Sequence, residues 1–122
     1  MVRLTEMEAL DLWRRAMLAG VRANAPDLSA RQMTLLLTVY LTAPPHTVRG
    51  LSSELNVSKP AITRALDRLS ELGLIRRKID DADRRSVLVQ RTVRGSVYLR
   101  DWGEMIAAAG AELPGGKTGP RS

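Results

Sequence analysis

Between Ser58 and Arg100 the chain carries eleven Lys and Arg residues against five Asp and Glu. That one stretch holds an excess equal to the +6 formal charge of all 122 residues. Guanidinium and ammonium groups at neutral pH do not attack bonds; they pair with anions, and a focused positive field attracts a polyanion and speeds encounter with it. The residue types needed for covalent chemistry are scarce, since the chain has one His and no Cys. A Ser–His or Cys–His nucleophile pair, a thiolate metal site and a disulfide therefore lack their materials. No enzyme activity, cofactor or resident metal is expected.

Two further patterns fail on spacing or context. Gly116-Lys117-Thr118 resembles the end of a phosphate-binding loop, but the Gly required five residues earlier is Ala111, and the strand and helix that must flank such a loop are missing. Asp80, Asp81 and Asp83 could ligate a hard cation, yet they run straight into Arg84 and Arg85. They fit the charged tip of a hairpin better.

The elements that must carry the basic residues can be read from local grammar. Ser58 is a good N-cap, because its hydroxyl can accept from an orphan backbone N–H one turn on, and Val57 with Ile62 can close a hydrophobic staple. Pro60 falls in the first turn, where its missing N–H costs nothing. Gly73 ends the helix, so the element spans 58–73. Ile62, Ala65, Leu66, Leu69 and Leu72 form its apolar stripe. Lys59, Pro60, Thr63, Arg64 and Asp67 lie on the other face, with Arg68 at the margin. A shorter helix begins near Thr47 with Val48, Leu51 and Leu55 inward, and Asn56 takes the left-handed turn position. Two short helices joined this way make a helix-turn-helix. Leu74 to Ile79 and Ser86 to Thr92 read as strands around the polar tip 80–85.

The segment VSKPAITRALDRLSELGLIRR, followed by D-x-x-D-R-R and then by Thr92 and Gly95, resembles the MarR family of winged-helix transcription regulators. The resemblance covers roughly Leu28 to Gly95. It implies a mainly α winged helix-turn-helix with a small β-hairpin wing and terminal helices for dimerisation. By matching positions it places Ser58, Lys59, Pro60, Thr63 and Arg64 against the DNA major groove. Asp83 and Arg85 become the wing pair, the carboxylate orienting a guanidinium that enters the adjacent minor groove, with Arg84 beside them. Arg91 departs from the pattern, which usually has an apolar residue before the Thr, and this predicts a less buried strand end.

The remaining elements frame the reader. Thr5 and Glu8 form a capping box for a first helix reaching about Ala23, with Leu4, Met7, Leu10, Trp13, Met17 and Val21 apolar around more than half its circumference. One core face cannot use that much, and a partner helix could cover the rest. Ser29 and Gln32 cap a central core helix that stops before Pro44-Pro45. On it, Tyr40 is expected as a packed aromatic with a satisfied hydroxyl. His46, after two prolines, is expected in a solvated loop. Thr92 can cap a last helix carrying Val97, Tyr98, Trp102, Met105, Ile106 and Ala109 to near Gly110. Residues 1–110 are thus expected to form one domain, with 111–122 a disordered tail.

These readings converge on a sequence-specific double-stranded DNA binder, a dimeric repressor in the cytoplasm, with no membrane span. Thr63 and Arg64 suit base edges, Arg64 because a guanidinium pairs bidentately with guanine. Ser58, Lys59, Arg68 and Arg77 suit phosphates. Relatives often release DNA when a small ligand, commonly phenolic, wedges between the dimerisation helices and the reading lobe; the resemblance thus allows a small-molecule effector, which no residue of this sequence identifies. The alternative is a winged helix used as a protein-interaction module, which the apolar terminal helices would serve and which would bind DNA weakly and without sequence preference.

Overall fold

The computed structural model describes residues 3–113. Helix α1 spans Glu6–Arg22, α2 Ala30–Leu41, α3 Val48–Leu55, α4 Lys59–Glu71 and α5 Val93–Glu112; strands β1, β2 and β3 span His46–Thr47, Ile75–Ile79 and Val87–Arg91. Two compact units divide the chain: 27–98 is one, and 3–26 with 99–113 make up the described part of the other. Of the tail expected over 111–122, the structure corrects the first three residues, with Ala111 and Glu112 helical and Leu113 buried, while 114–122, including Gly116-Lys117-Thr118, lie outside the described residues. No described helix is long and apolar enough to cross a membrane.

Local hydrogen bonding explains the helix starts of the first four helices. Thr5 with Glu8 and Ser29 with Gln32 form reciprocal capping boxes, each side chain serving the other residue's backbone N–H. Thr47 accepts from the Gly50 N–H and Ser58 from the Ala61 N–H. Asn56 (φ 55°) and Gly73 (φ 75°) occupy the left-handed positions that end α3 and α4.

In the 27–98 unit, α4 packs between α2 and α3 and against β2. Leu35, Leu36 and Val39 of α2, Leu51 of α3, and Ile62, Leu66 and Leu69 of α4 form the core, closed by Leu74, Ile75 and Val89. The wing has a third strand that the charged hairpin alone did not announce. β1 pairs with β3 (His46 opposite Val89, Thr47 opposite Leu88), giving an antiparallel sheet in the order β1-β3-β2. His46 therefore corrects the loop expectation: it is half-buried in a strand, its Nε2 3.2 Å from the Thr42 carbonyl oxygen and 3.3 Å from the Thr42 hydroxyl.

Tyr40 has the satisfied hydroxyl expected of it. It donates to the Leu74 carbonyl (2.7 Å) and accepts from the Thr92 N–H (2.8 Å). Thr92 Oγ1 donates to the Gly73 carbonyl and accepts from the Gly95 N–H, capping α5. A methyl on Gly95 would overlap the Tyr40 hydroxyl and the Leu74 carbonyl oxygen and lie 2.6 Å from Tyr40 Cζ. Arg91 is exposed, as the departure from the family pattern predicts, but its head is engaged: Nε donates to the Val39 carbonyl (2.9 Å) and Nη2 to that of Thr42 (3.0 Å). It thereby satisfies carbonyls at the end of α2, groups that a helix leaves without partners of its own.

In the other unit, only Ala16 and Gly20 of α1 are buried, and the Trp102 ring of α5 lies on Gly20 so closely that a Cβ there would be 2.7 Å from Trp102 Cζ2. Arg15 ties Asp11 (2.9 Å) to Glu112 (3.5 Å). The α1 residues named as apolar surplus stay uncovered, with Met7 72%, Trp13 65% and Val21 74% exposed. Helix α5 runs to Glu112, two residues past the expected end, and Leu113 is buried.

Candidate nucleic-acid interface

Helix α4 divides its residues cleanly. Ala61, Ile62, Ala65, Leu66 and Leu69 are buried, which turns Ser58, Lys59, Pro60, Thr63, Arg64 and Asp67 outward as one exposed face. The separation follows from the 3.6-residue period, and the same burial that fixes the helix on the core fixes the aim of the outer side chains. Lys59 and Arg64 make no ion pair among the described residues, so their charges are open to an incoming anion. Arg68 is half-buried at the margin of that face.

The wing tip is organised by its acidic residues acting on the backbone. Asp80 Oδ1 accepts from the Ala82 N–H (2.9 Å), the Asp80 N–H donates to the Ser86 carbonyl (3.0 Å), and the Ser86 N–H to that of Asp83 (2.8 Å). Asp83 Oδ1 accepts from the Arg85 N–H at 3.1 Å and from Arg85 Nε at 3.4 Å, while its Oδ2 accepts from the Ser86 hydroxyl at 3.2 Å. The carboxylate thus orients the guanidinium, which at 90% side-chain exposure projects into solvent with Arg84 exposed next to it. The backbone N–H of Arg85, followed by the Arg85 and Ser86 side chains and the field of Arg49, holds the Asp83 carboxyl below its usual range. Among the described residues no group of His, Cys, Asp and Glu is placed to hold a metal ion.

Arg77 stands apart from the other sequence-predicted residues. Its Nη2 lies 2.8 Å from Asp67 Oδ1, and its side chain is 29% exposed. A guanidinium expected on a phosphate thus already has an anionic partner on the outer face of α4. Arg49, exposed in the first turn of α3 and close enough to bear on Asp83, is a residue the sequence reading passed over. Nothing in its neighbours marked it, because its proximity to the wing arises only when α3 and the hairpin are folded together.

Residues 28–87 match the MarR family model. Among solved structures, transcriptional regulator Tm0710 from Thermotoga maritima is similar at a TM-score of 0.64 and 24% identity, over 84% of this chain and 66% of that one. A MarR-family transcriptional regulator from Rhodococcus sp. RHA1 matches at 0.62 and 24%, over 82% and 68% of the two chains. The S. aureus MepR–DNA complex matches at 0.70 and 17%, over 84% and 81%. The chain thus spans about two thirds of the length of the Thermotoga and Rhodococcus regulators, and these likenesses establish the winged-helix fold.

Proposed function

Through residues 28–87 the chain belongs to the MarR family, and on that premise we propose that it is a transcriptional repressor, not an enzyme, that reads double-stranded DNA as a homodimer. The observation that carries this reading is the uncovered face of α4, with Lys59, Thr63 and Arg64 outward, beside a wing whose Arg85 is held out by Asp83. That a solved structural neighbour, S. aureus MepR, was captured in complex with DNA supports it.

Thr63 and Arg64 contact base edges in the major groove, Arg64 with two parallel hydrogen bonds to guanine. Ser58, Lys59 and Arg68 take phosphates and fix the register, and Pro60 packs against the backbone. Arg85, with Arg84, enters the neighbouring minor groove and reads width and potential more than base identity. The terminal helices join two copies: the exposed Met7, Leu10, Trp13, Met17 and Val21 of α1 are the apolar surface that a second chain covers. A twofold axis then sets two recognition helices ~34 Å apart, or ~10 bp, and the operator is an inverted repeat.

The test is selection from a random double-stranded pool with the purified chain, followed by anisotropy titration of the winner at several salt concentrations. Enrichment of an inverted repeat with half-sites about one turn apart is the expected result. No enrichment above scrambled DNA would overturn the proposal and leave the protein-interaction module as the reading to pursue.

A further inference from the structure

Strand β2 contains three consecutive cations, Arg76, Arg77 and Lys78, and each has a partner. Arg76 Nη2 donates to Gln90 Oε1 at 3.3 Å, and Lys78 Nζ lies 4.0 Å from Asp81 Oδ2. Both sit on the strand face opposite to buried Ile75, since side chains alternate along a strand. Arg77 shares the face of Ile75 and turns to α4, where it meets Asp67 at 2.8 Å. Asp67 in turn lies one helical turn beyond Thr63 and three residues beyond Arg64, on the face proposed for DNA.

A carboxylate on a DNA-facing helix repels phosphates. A guanidinium drawn onto that carboxylate has one donor engaged and its charge offset by the neighbouring anion, so it is a poorer partner for them. An ion pair with side chains 29% and 52% exposed contributes little to stability, so its value lies in placement. We propose that Asp67 is a positioning and discrimination residue: it clamps Arg77 as a strut between the recognition helix and the wing and withholds that guanidinium from the DNA backbone. The inference rests on the DNA-reading proposal above. It replaces the phosphate contact expected of Arg77 from sequence with a contact inside the protein. The clamp lowers sequence-independent affinity, since each phosphate contact adds about 0.9 to the magnitude of the slope of log K against log salt. It thereby widens the gap between preferred and scrambled DNA.

Asp67→Asn, Arg77→Gln and the double variant, each checked by circular dichroism and urea unfolding, are titrated against the selected site and a scrambled duplex over a range of salt. Asp67→Asn is expected to steepen the salt slope by about one, to bind scrambled DNA several-fold more tightly, and to narrow the specificity ratio. Arg77→Gln is expected to leave the slope unchanged, and the double variant to return it to the wild-type value. A fall of about one in the slope of Arg77→Gln would show that the guanidinium already serves a phosphate, and would overturn the inference while leaving DNA reading intact. Should Arg77→Gln not fold, Asp67→Asn decides alone, an unchanged or shallower slope overturning the clamp. Absence of wild-type DNA binding at low salt would instead overturn the parent proposal and the clamp with it.

Discussion

Replacing Gly95 with Ala probes the junction where the wing gives way to α5. The added methyl has no room: it overlaps the Tyr40 hydroxyl and the Leu74 carbonyl oxygen, and Tyr40 Cζ is 2.6 Å away. The Leu74 oxygen is backbone and cannot swing aside, so Tyr40 must move or the start of α5 must lift. Overpacking of a well-filled site costs roughly 1–3 kcal/mol. Moving Tyr40 also breaks its bonds to the Leu74 carbonyl and the Thr92 N–H, worth about 1 kcal/mol each. The expected loss is about 2–4 kcal/mol, since part of the overlap is relieved by the same motion that breaks the bonds. Urea unfolding at fixed protein concentration measures it, because association shifts apparent stability. The companion Tyr40→Phe removes the clashing hydroxyl together with its hydrogen bonds, so the double variant should lose less than the sum of the singles. A loss under about 0.5 kcal/mol for Gly95→Ala, the size of an ordinary surface change, or strict additivity with Tyr40→Phe, would refute this account of the junction.

Arg64→Ala is expected to cost ~1–3 kcal/mol on the selected operator and to relax preference at one base position, whereas Lys59→Ala weakens all duplexes alike and lowers the salt slope by ~1. If both variants lose affinity only for the operator, the division between base reading and phosphate contact is wrong. Arg91→Leu should destabilise by about 1 kcal/mol, less than two charged hydrogen bonds would suggest, because Thr42 is exposed and water can replace the guanidinium there. Asp83, whose carboxyl is held below its usual range chiefly by the Arg85 N–H, keeps the wing ordered above its ordinary pKa; the ordering is lost only as pH falls through the lowered folded value. The Arg85 amide resonance should therefore hold its position as pH falls from about 8 to the ordinary aspartate value of 3.8 and move only below it, and a titration midpoint at or above that value would contradict the account. Trp13→Glu on α1 should convert the sedimenting species to a monomer, with the unchanged dimer as the contrary result.

What the residues alone determined is what depends on neighbours a few positions apart. Thr5 with Glu8, Ser29 with Gln32, Thr47 and Ser58 cap their helices through hydrogen bonds across three residues. Asn56 and Gly73 take left-handed backbone that few other residues tolerate. The exposed face of α4 follows from the helical period, while the wing pair Asp83–Arg85 was implied by the family resemblance and is closed by a hydrogen bond across only two residues. The surplus apolar surface of α1 was legible for the same reason, as a stripe too wide for one core face.

What only the tertiary structure decided are contacts whose partners lie far apart in the chain. Arg91 reaches α2 carbonyls 49 and 52 residues away, and the two-residue β1 is a strand only because β3 lies alongside it. Arg77 reads in sequence as one cation among three; strand alternation and the packing of β2 on α4 give it, and not Arg76 or Lys78, a carboxylate partner on the recognition helix. The physical reason is common to all three. A charge or a backbone donor near a surface can be satisfied by water, by phosphate or by protein, and residue type does not choose among them. The choice is made when the core of Leu35, Ile62, Leu66 and Val89 fixes the distance between elements to within a hydrogen bond.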